Sequence, residues 1–138
     1  MLALSATLNP ECEHLEADMH TLRLGRTFGA VLLHDPVMYM TTETDLRAAI
    51  ETAFVHLRPG GAAVLVPDFV AETFRPETKH GGHDGSDGRS LRYLDWTYDP
   101  DPKDTPMVTD FAYLLREADG SVRTLDDTHV EGIFPRAT

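Results

Sequence analysis

Residues 28–66 read FGAVLLHDPVMYMTTETDLRAAIETAFVHLRPGGAAVLV, and this stretch decides the fold. Phe28–Leu33 is an unbroken apolar run bounded by Gly25 and by Asp35-Pro36. Such a run fits a strand buried on both faces, as in a parallel sheet. Thr42 then offers a helix cap, with Asp45 at the third helical position in a loose capping box. Leu46, Ile50, Ala53, Phe54 and Leu57 follow at helical spacing and predict one apolar stripe. His56 and Arg58 suit the negative end of the helix dipole. Pro59-Gly60-Gly61 is expected to end the helix before a second apolar strand, Ala62–Val66. Strand, helix, strand is a βαβ unit with a right-handed crossover.

Upstream, Met1–Leu8 predicts a short helix that Asn9-Pro10 stops. His14–Ala17 is expected as a short strand ending at Asp18-Met19. Downstream the character changes. Residues 76–106 are rich in Pro, Gly and acids, which predicts a long loop holding one short aromatic strand, Leu91–Tyr98. The four glycines in 81–88 predict that 76–90 is the most mobile internal segment. Met107–Leu115 alternates, with Phe111 and Tyr113 on one face and Val108, Ala112 and Leu114 on the other. A turn at Ala118-Asp119-Gly120-Ser121 leads to Val122–Val130, the second strand of a hairpin. The chain reads as one partial domain, 1–138, with a βαβ part over 1–69 and a loop and hairpin part over 70–138. Thr138 is a residue type that starts helices, at the point where the sequence ends.

The 138 residues (15.3 kDa) are 41% hydrophobic and 25% charged, a globular composition. Acids outnumber bases 23 to 12, giving −11 and no basic face for a nucleic-acid backbone. A single cysteine, Cys12, sits between two glutamates and excludes an internal disulfide or a Cys-rich zinc site. No apolar run approaches the ~20 residues of a membrane span. The N-terminal segment has neither a basic nor a long apolar signal region, so the expected location is the cytoplasm.

Three constellations carry chemistry. Asp18 at the end of the first strand is either a hydrogen-bond acceptor for a ligand lying across a sheet or a solvated turn residue. His34-Asp35-Pro36-Val37-Met38-Tyr39 follows a strand at the edge where open α/β sheets bind ligands. The alternative puts Met38 and Tyr39 in the core and His34 on the surface. The run His80-Gly81-Gly82-His83-Asp84-Gly85-Ser86-Asp87-Gly88 admits three readings. It is a metal site through His80, His83, Asp84 and Asp87, a lid that brings His83 to a substrate as base, or a plain glycine loop. Leu94, Trp96 and Tyr98 alternate onto one face, as core or as a pocket wall.

Read together, Glu16-Ala17-Asp18-Met19, Phe28–Asp35 and Leu57-Arg58-Pro59-Gly60-Gly61 before an apolar strand resemble a class I S-adenosylmethionine-dependent methyltransferase. The opening Met1-Leu2-Ala3 is similar to the helix after the family's second strand, and the second half, with its aromatic strand and Asp119-Gly120 hairpin, resembles the bacterial group that includes sugar N-methyltransferases. The resemblance covers nearly the whole chain. It implies S-adenosylmethionine as cofactor, with Asp18 at the adenine amino group, the Met19 amide at the ring, and His34 and Asp35 bordering the methionine end. The family has no compulsory catalytic residue, and His83 and Tyr39 are the catalytic candidates that this sequence itself offers, with no metal. The family's glycine-rich loop, and the acid ending its second strand, have no counterpart in these residues, so binding of the cofactor by this chain alone is expected to be weak.

The expected fold class is therefore α/β: a partial Rossmann-like methyltransferase sheet, strands 3 to 7, with an antiparallel β-rich second half. The implied activity is methyl transfer to N or O of a small-molecule acceptor, with this chain inactive alone. A non-catalytic interaction or dimerisation remnant, and a metal-binding protein through the His/Asp loop, are the rivals. In the family's strand order, 3-2-1-4-5-7-6, Phe28–Leu33 loses its neighbour and becomes an apolar edge. That predicts a homo-oligomer or a complementing chain, because unpaired apolar edges invite association.

Overall fold

The computed structural model describes residues 2–137; Met1 and Thr138 lie outside the described residues. A short helix α1 (Leu2–Leu8) precedes a long irregular segment. Strand β1 (Phe28–His34), a 3-10 turn (Pro36–Tyr39), helix α2 (Glu43–Val55) and strand β2 (Leu57–Val66) follow. The second half is β3 (Glu77–Asp84), β4 (Ser90–Tyr98), β5 (Pro106–Arg116) and β6 (Val122–Gly132). β1 and β2 pair in parallel, and β3-β4-β5-β6 form an antiparallel meander. The α/β architecture with a β-rich second half is thus present.

Helix α2 starts as expected: the Asp45 amide donates to Thr42 Oγ1 at 3.1 Å. Its buried face differs from the predicted stripe. Leu46, Ala49, Thr52 and Ala53 are buried, while Ile50 is exposed and Phe54 is 73% exposed. The cause lies at the C-cap. His56 is buried, its Nδ1–H donates to Thr52 O at 2.7 Å, and its Nε2 accepts the Leu24 amide at 2.8 Å. Thr52 Oγ1 meanwhile donates to His20 O at 3.0 Å. These bonds tie the segment before β1 to one side of α2 and roll the small residues Ala49 and Ala53 inward. Leu57 is not helical. It opens β2 opposite Phe28, and Arg58-Pro59-Gly60-Gly61 bulges out before pairing resumes at Ala30–Ala62. Gly60 takes φ +81 there, a conformation other residues resist.

The expected strand at His14–Ala17 is not formed. A strand needs a ladder partner, and no described strand lies beside this segment. Side chains hold it instead, with His14 Nε2 at 2.9 Å from Asn9 O and Glu13 ion-paired to Arg26. The expected mobile loop is also corrected. Residues 77–84 are β3, paired with β4 from Glu77–Thr97 to Asp84–Ser90. The glycines serve close approach, not freedom. A Cβ on Gly81 would sit 2.7 Å from the Tyr93 ring, and one on Gly82 would sit 2.5 Å from Leu91 O.

Two cores meet at the 3-10 turn. Val37 and Met40 pack with Leu46, Ala49, Leu33 and Leu65 on the helix side. Met38 packs with Phe74, Met107 and Ile133 on the meander side. The other face of β1-β2 is open, with Leu32 64% exposed beside Val64. The halves are stitched where β6 ends. Ile133 N donates to Thr105 O at 2.8 Å, Thr105 Oγ1 donates to Thr41 O, and Gly132 lies against the Met40 carbonyl.

A Cβ on Gly132 would fall 1.9 Å from Met40 O, and that atom is backbone. Gly132→Ala is therefore expected to destabilise by about 3 kcal/mol, the upper end of overpacking costs. Urea unfolding of the two chains measures it, and a loss below about 1 kcal/mol contradicts the crossing described.

Candidate functional site

β1 and β2 end side by side, with His34 paired to Val66, so the residues after them share one edge of the sheet. Carboxyl ends of parallel strands are where α/β sheets bind ligands. Asp35 turns the chain here with φ +36, a left-handed conformation that costs a non-glycine residue energy. Its carbonyl accepts the Met38 amide at 2.8 Å, which closes the 3-10 turn. The turn presents Tyr39 toward β6.

The Tyr39 hydroxyl lies 2.8 Å from His129 Nδ1, and His129 Nε2 lies 3.2 Å from Asp127 Oδ2. A carboxylate only accepts, which assigns the ring proton to Nε2 and makes Nδ1 the acceptor of the Tyr39 O–H. Asp127, His129 and Glu131 alternate along β6 and so share one face. Phe111 packs 5.0 Å from the His129 ring and stacks on Tyr113 at 5.6 Å. Glu131 accepts from Thr109 Oγ1 at 3.2 Å. Burial raises its carboxyl above the ordinary value, and the charges of Asp68 and Asp35 add to the rise. Burial likewise raises the Tyr39 phenol, reinforced by Glu131, Asp127, Asp35 and Asp68. Next to these groups, a cavity of about 300 Å³ is lined by Val37, Leu46, Leu65, Phe69 and Phe134.

The expected site residues separate into groups. His34 and Asp35 stand at the strand end, paired Nδ1 to Oδ1 at 3.0 Å and exposed. Tyr39 is half-exposed, so of the Met38–Tyr39 pair only Met38 is core. Asp18 accepts from the His20 amide at 2.8 Å and lies 2.6 Å from His20 Nδ1. Those hydrogen bonds hold its carboxyl below the ordinary value. The Met19 side chain packs on the helix-side core. His83 is in β3, six residues from Glu77, whose row across the sheet leads to His129. That is about 20 Å along the strand, so His83 is no lid over Tyr39. His80 and His83 point to opposite faces of β3, Asp84 pairs with Arg92, and Asp87 pairs with Arg89. Among the described residues no three His, Cys, Asp or Glu side chains group to hold a metal.

His129, Asp127, Glu131 and Asp68 escaped the sequence reading. The signal for the first three was available: Asp127-x-His129-x-Glu131 inside a strand puts all three on one face. What the sequence does not contain is that this face meets Tyr39, 90 residues away.

No protein-family model matches the chain. It is 30% identical over 129 residues to the dTDP-3-amino-3,4,6-trideoxy-alpha-D-glucopyranose N,N-dimethyltransferase of Streptomyces venezuelae, covering 93% of this chain and 53% of that one. The crystal structure of Streptomyces venezuelae DesVI superposes with a TM-score of 0.87 at 25% identity, over 99% of this chain and 57% of DesVI. The SAM-bound structure of CalS10, an amino pentose methyltransferase from Micromonospora echinaspora, gives 0.82 at 27% identity, over 99% and 56%. The chain thus spans about half the length of the relatives it matches. Among the described residues no helix is long and apolar enough to cross a membrane. Sequence and fold agree: the chain has the fold of the S-adenosylmethionine-dependent methyltransferases and is similar, over nearly its whole length, to about half the length of the bacterial sugar N-methyltransferases.

Proposed function

We propose that this chain carries the acceptor-facing half of an S-adenosylmethionine-dependent N-methyltransferase acting on an amino sugar, as one partial domain in the bacterial cytoplasm. The observation that carries the reading is the Tyr39–His129–Asp127 chain at the carboxyl ends of β1 and β2. The relatives' acceptor is an amine on a dTDP-linked sugar. Such an amine is an ammonium ion near neutral pH and must lose a proton to expose its lone pair. An N–H of the ammonium donates to Tyr39 Oη while the Tyr39 O–H donates to His129 Nδ1. The proton leaves nitrogen, the phenolic proton passes to His129, and Asp127 stabilises the imidazolium. The raised phenol pKa suits this: Tyr39 stays protonated and relays instead of ionising.

The residues suit the adenine side of the cofactor in part. The Met19 amide donates to no protein group among the described residues, and the Asp18 carboxylate is exposed but already held by His20. S-adenosylmethionine, when bound, supplies an electrophilic methyl group on a sulfonium. For this chain, Asp18 and Met19 would hold the adenine end, and His34 and Asp35 would border the reacting end. Methyl transfer needs alignment and exclusion of water more than a fixed catalytic group. Among the described residues no glycine-rich turn joins a strand to a helix N-terminus, which supports a reading in which another segment supplies backbone donors for the cofactor's carboxylate. The open edge of β1 and its exposed Leu32 face support a complementing segment at that place.

Calorimetric titration of the 138-residue chain with S-adenosylmethionine is expected to give weak or no binding, and submicromolar affinity overturns the half-site reading. A dTDP-3-amino sugar is expected to shift the His129 ring signals in NMR spectra, whereas dTDP-glucose leaves them in place. Tyr39→Phe should weaken the amino-sugar response about tenfold, the loss of one hydrogen bond to a charged group. Unmoved His129 signals at saturating ligand overturn the acceptor site.

Glu131 gives a pH test. Its carboxyl is raised in the folded state, so its contribution to stability is full below the unfolded value of 4.5 and is lost as pH rises through the folded value. Glu131→Gln is therefore expected to raise Tm at pH 7.5 by a few degrees and to leave it unchanged below pH 4.5. Thermal melts across that range decide it; a lower Tm for the variant at pH 7.5 contradicts the assigned burial.

A further inference from the structure

The proposed acceptor site stands at the carboxyl ends of β1 and β2. Another cavity opens at the amino end of β1, where the segment before that strand meets the end of α2. Its volume is about 320 Å³. Arg23, Gly25, Arg26 and Thr27 line one side, and Val55 and His56 line the other. β1 runs from Phe28 to His34, so this cavity lies about 20 Å from the strand end that carries His34 and Asp35. We infer that it is a binding site for the phosphate group of a small phosphomonoester.

Acids outnumber bases 23 to 12 in the chain, yet no carboxylate lines this cavity. Two guanidinium groups do. Arg23 is held in place, because its Nη1 donates to Thr52 Oγ1 at 2.7 Å and to Leu22 O at 2.8 Å. Thr52 is buried and gives its own hydroxyl proton to His20 O at 3.0 Å, so toward Arg23 it acts as acceptor. Nε and Nη2 of Arg23 donate to no protein group among the described residues. Arg26 is ion-paired to Glu13 and lies over the Phe28 ring at 5.4 Å. Arg58 adds a third positive charge at the same edge: a Cβ on Gly29 would lie 2.6 Å from its Nη2. A guanidinium fork fixed beforehand suits the oxygens of a phosphate.

The backbone adds donors of its own. The chain bends at Gly25 with φ +68. The amides of Gly25, Arg26 and Thr27 follow one another and donate to no protein group among the described residues. His56 brackets them: the Leu24 amide donates to its Nε2 at 2.8 Å, and the Phe28 amide donates to its carbonyl at 2.7 Å. Successive free N–H groups around a turn make an anion-binding concavity. Both ring nitrogens of His56 are already bonded, so His56 is a wall and not a ligand. Donors from two arginines and three amides, with no carboxylate among them, answer an anion and leave a cation or a neutral sugar unmatched. Size selects the carrier. The volume is roughly ten times the share of one water in the liquid and sits at the small end of ligand sites. A bare phosphate leaves most of it empty, whereas a monosaccharide phosphate fills it.

Amide NMR of the 138-residue chain, titrated with glucose 6-phosphate in chloride buffer at low ionic strength, reads the site directly. The Gly25, Arg26 and Thr27 amide signals are expected to move to lower field together and to saturate at about 1 mM or below. Glucose should move none of them. Inorganic phosphate should move the same three with about tenfold weaker affinity. Arg23→Gln should weaken the sugar phosphate about tenfold, the loss of a hydrogen bond to a charged group. Thr27→Glu sets a carboxylate among the donors and should abolish the response; Thr27 is exposed, so this variant keeps its fold and its circular dichroism. Unmoved amides at about 10 mM glucose 6-phosphate, phosphate binding as tightly as the ester, or an undiminished response in Thr27→Glu overturns the proposal. These amides are read without methyl transfer and far from the His129 ring, so failure here leaves the acceptor-site reading standing, and the reverse holds equally.

Discussion

Val37 and Met38 are neighbours in sequence, yet they enter different cores. The 3-10 turn that separates their directions is the constraint on which the rest depends. Three residues per turn point consecutive side chains about 120° apart, which a strand or a loop does not do in so short a length. Pro36 presets the first φ, Asp35 accepts the strain, and the turn becomes a peg driven between the helix side and the meander. Gly132 is the matching cut, since no side chain fits against the Met40 carbonyl.

The same peg makes the site. Once Val37 and Met38 are buried on either side, Tyr39 has one remaining direction, toward β6, and His129 meets it there. Side chains held by packed neighbours need little ordering when a ligand arrives, which suits the alignment that the proposed methyl transfer requires. The acids around Tyr39 come from four separate places, the ends of β1 and β2 and two positions on β6. Fold strain at Asp35 and carboxyl burial at Glu131 both occur at this junction, where stability is spent on geometry.

The two sheets solve different problems. β1 and β2 are a parallel pair with one covered face, and parallel strands are normally covered on both. The meander pairs its four strands with one another and carries apolar side chains on both faces among its charged ones. Each half therefore presents apolar surface of its own, and the strongly acidic composition keeps the remaining surface apart from other copies.

The order of elements was legible from local pattern: the apolar run of β1, the Thr42 cap, the alternation that separates Phe111 from Ala112, and the Asp119-Gly120 turn. These depend on neighbours within a few residues, where propensity and periodicity act. Three things did not depend on neighbours. Gly81 and Gly82 read as freedom, and only the Tyr93 and Arg92 side chains opposite turn them into a strand. Phe54 read as core, and only the His56 bonds to the segment before β1 roll it outward. Tyr39 was legible as a candidate but His129 was not, because a hydrogen bond across 90 residues is set by how two cores share one turn. The sequence by itself determined most of the periodic elements, since side-chain periodicity, caps and turn chemistry act within a few residues. The tertiary structure alone decided which faces are buried and which distant side chains meet, since burial is a property of the packed whole.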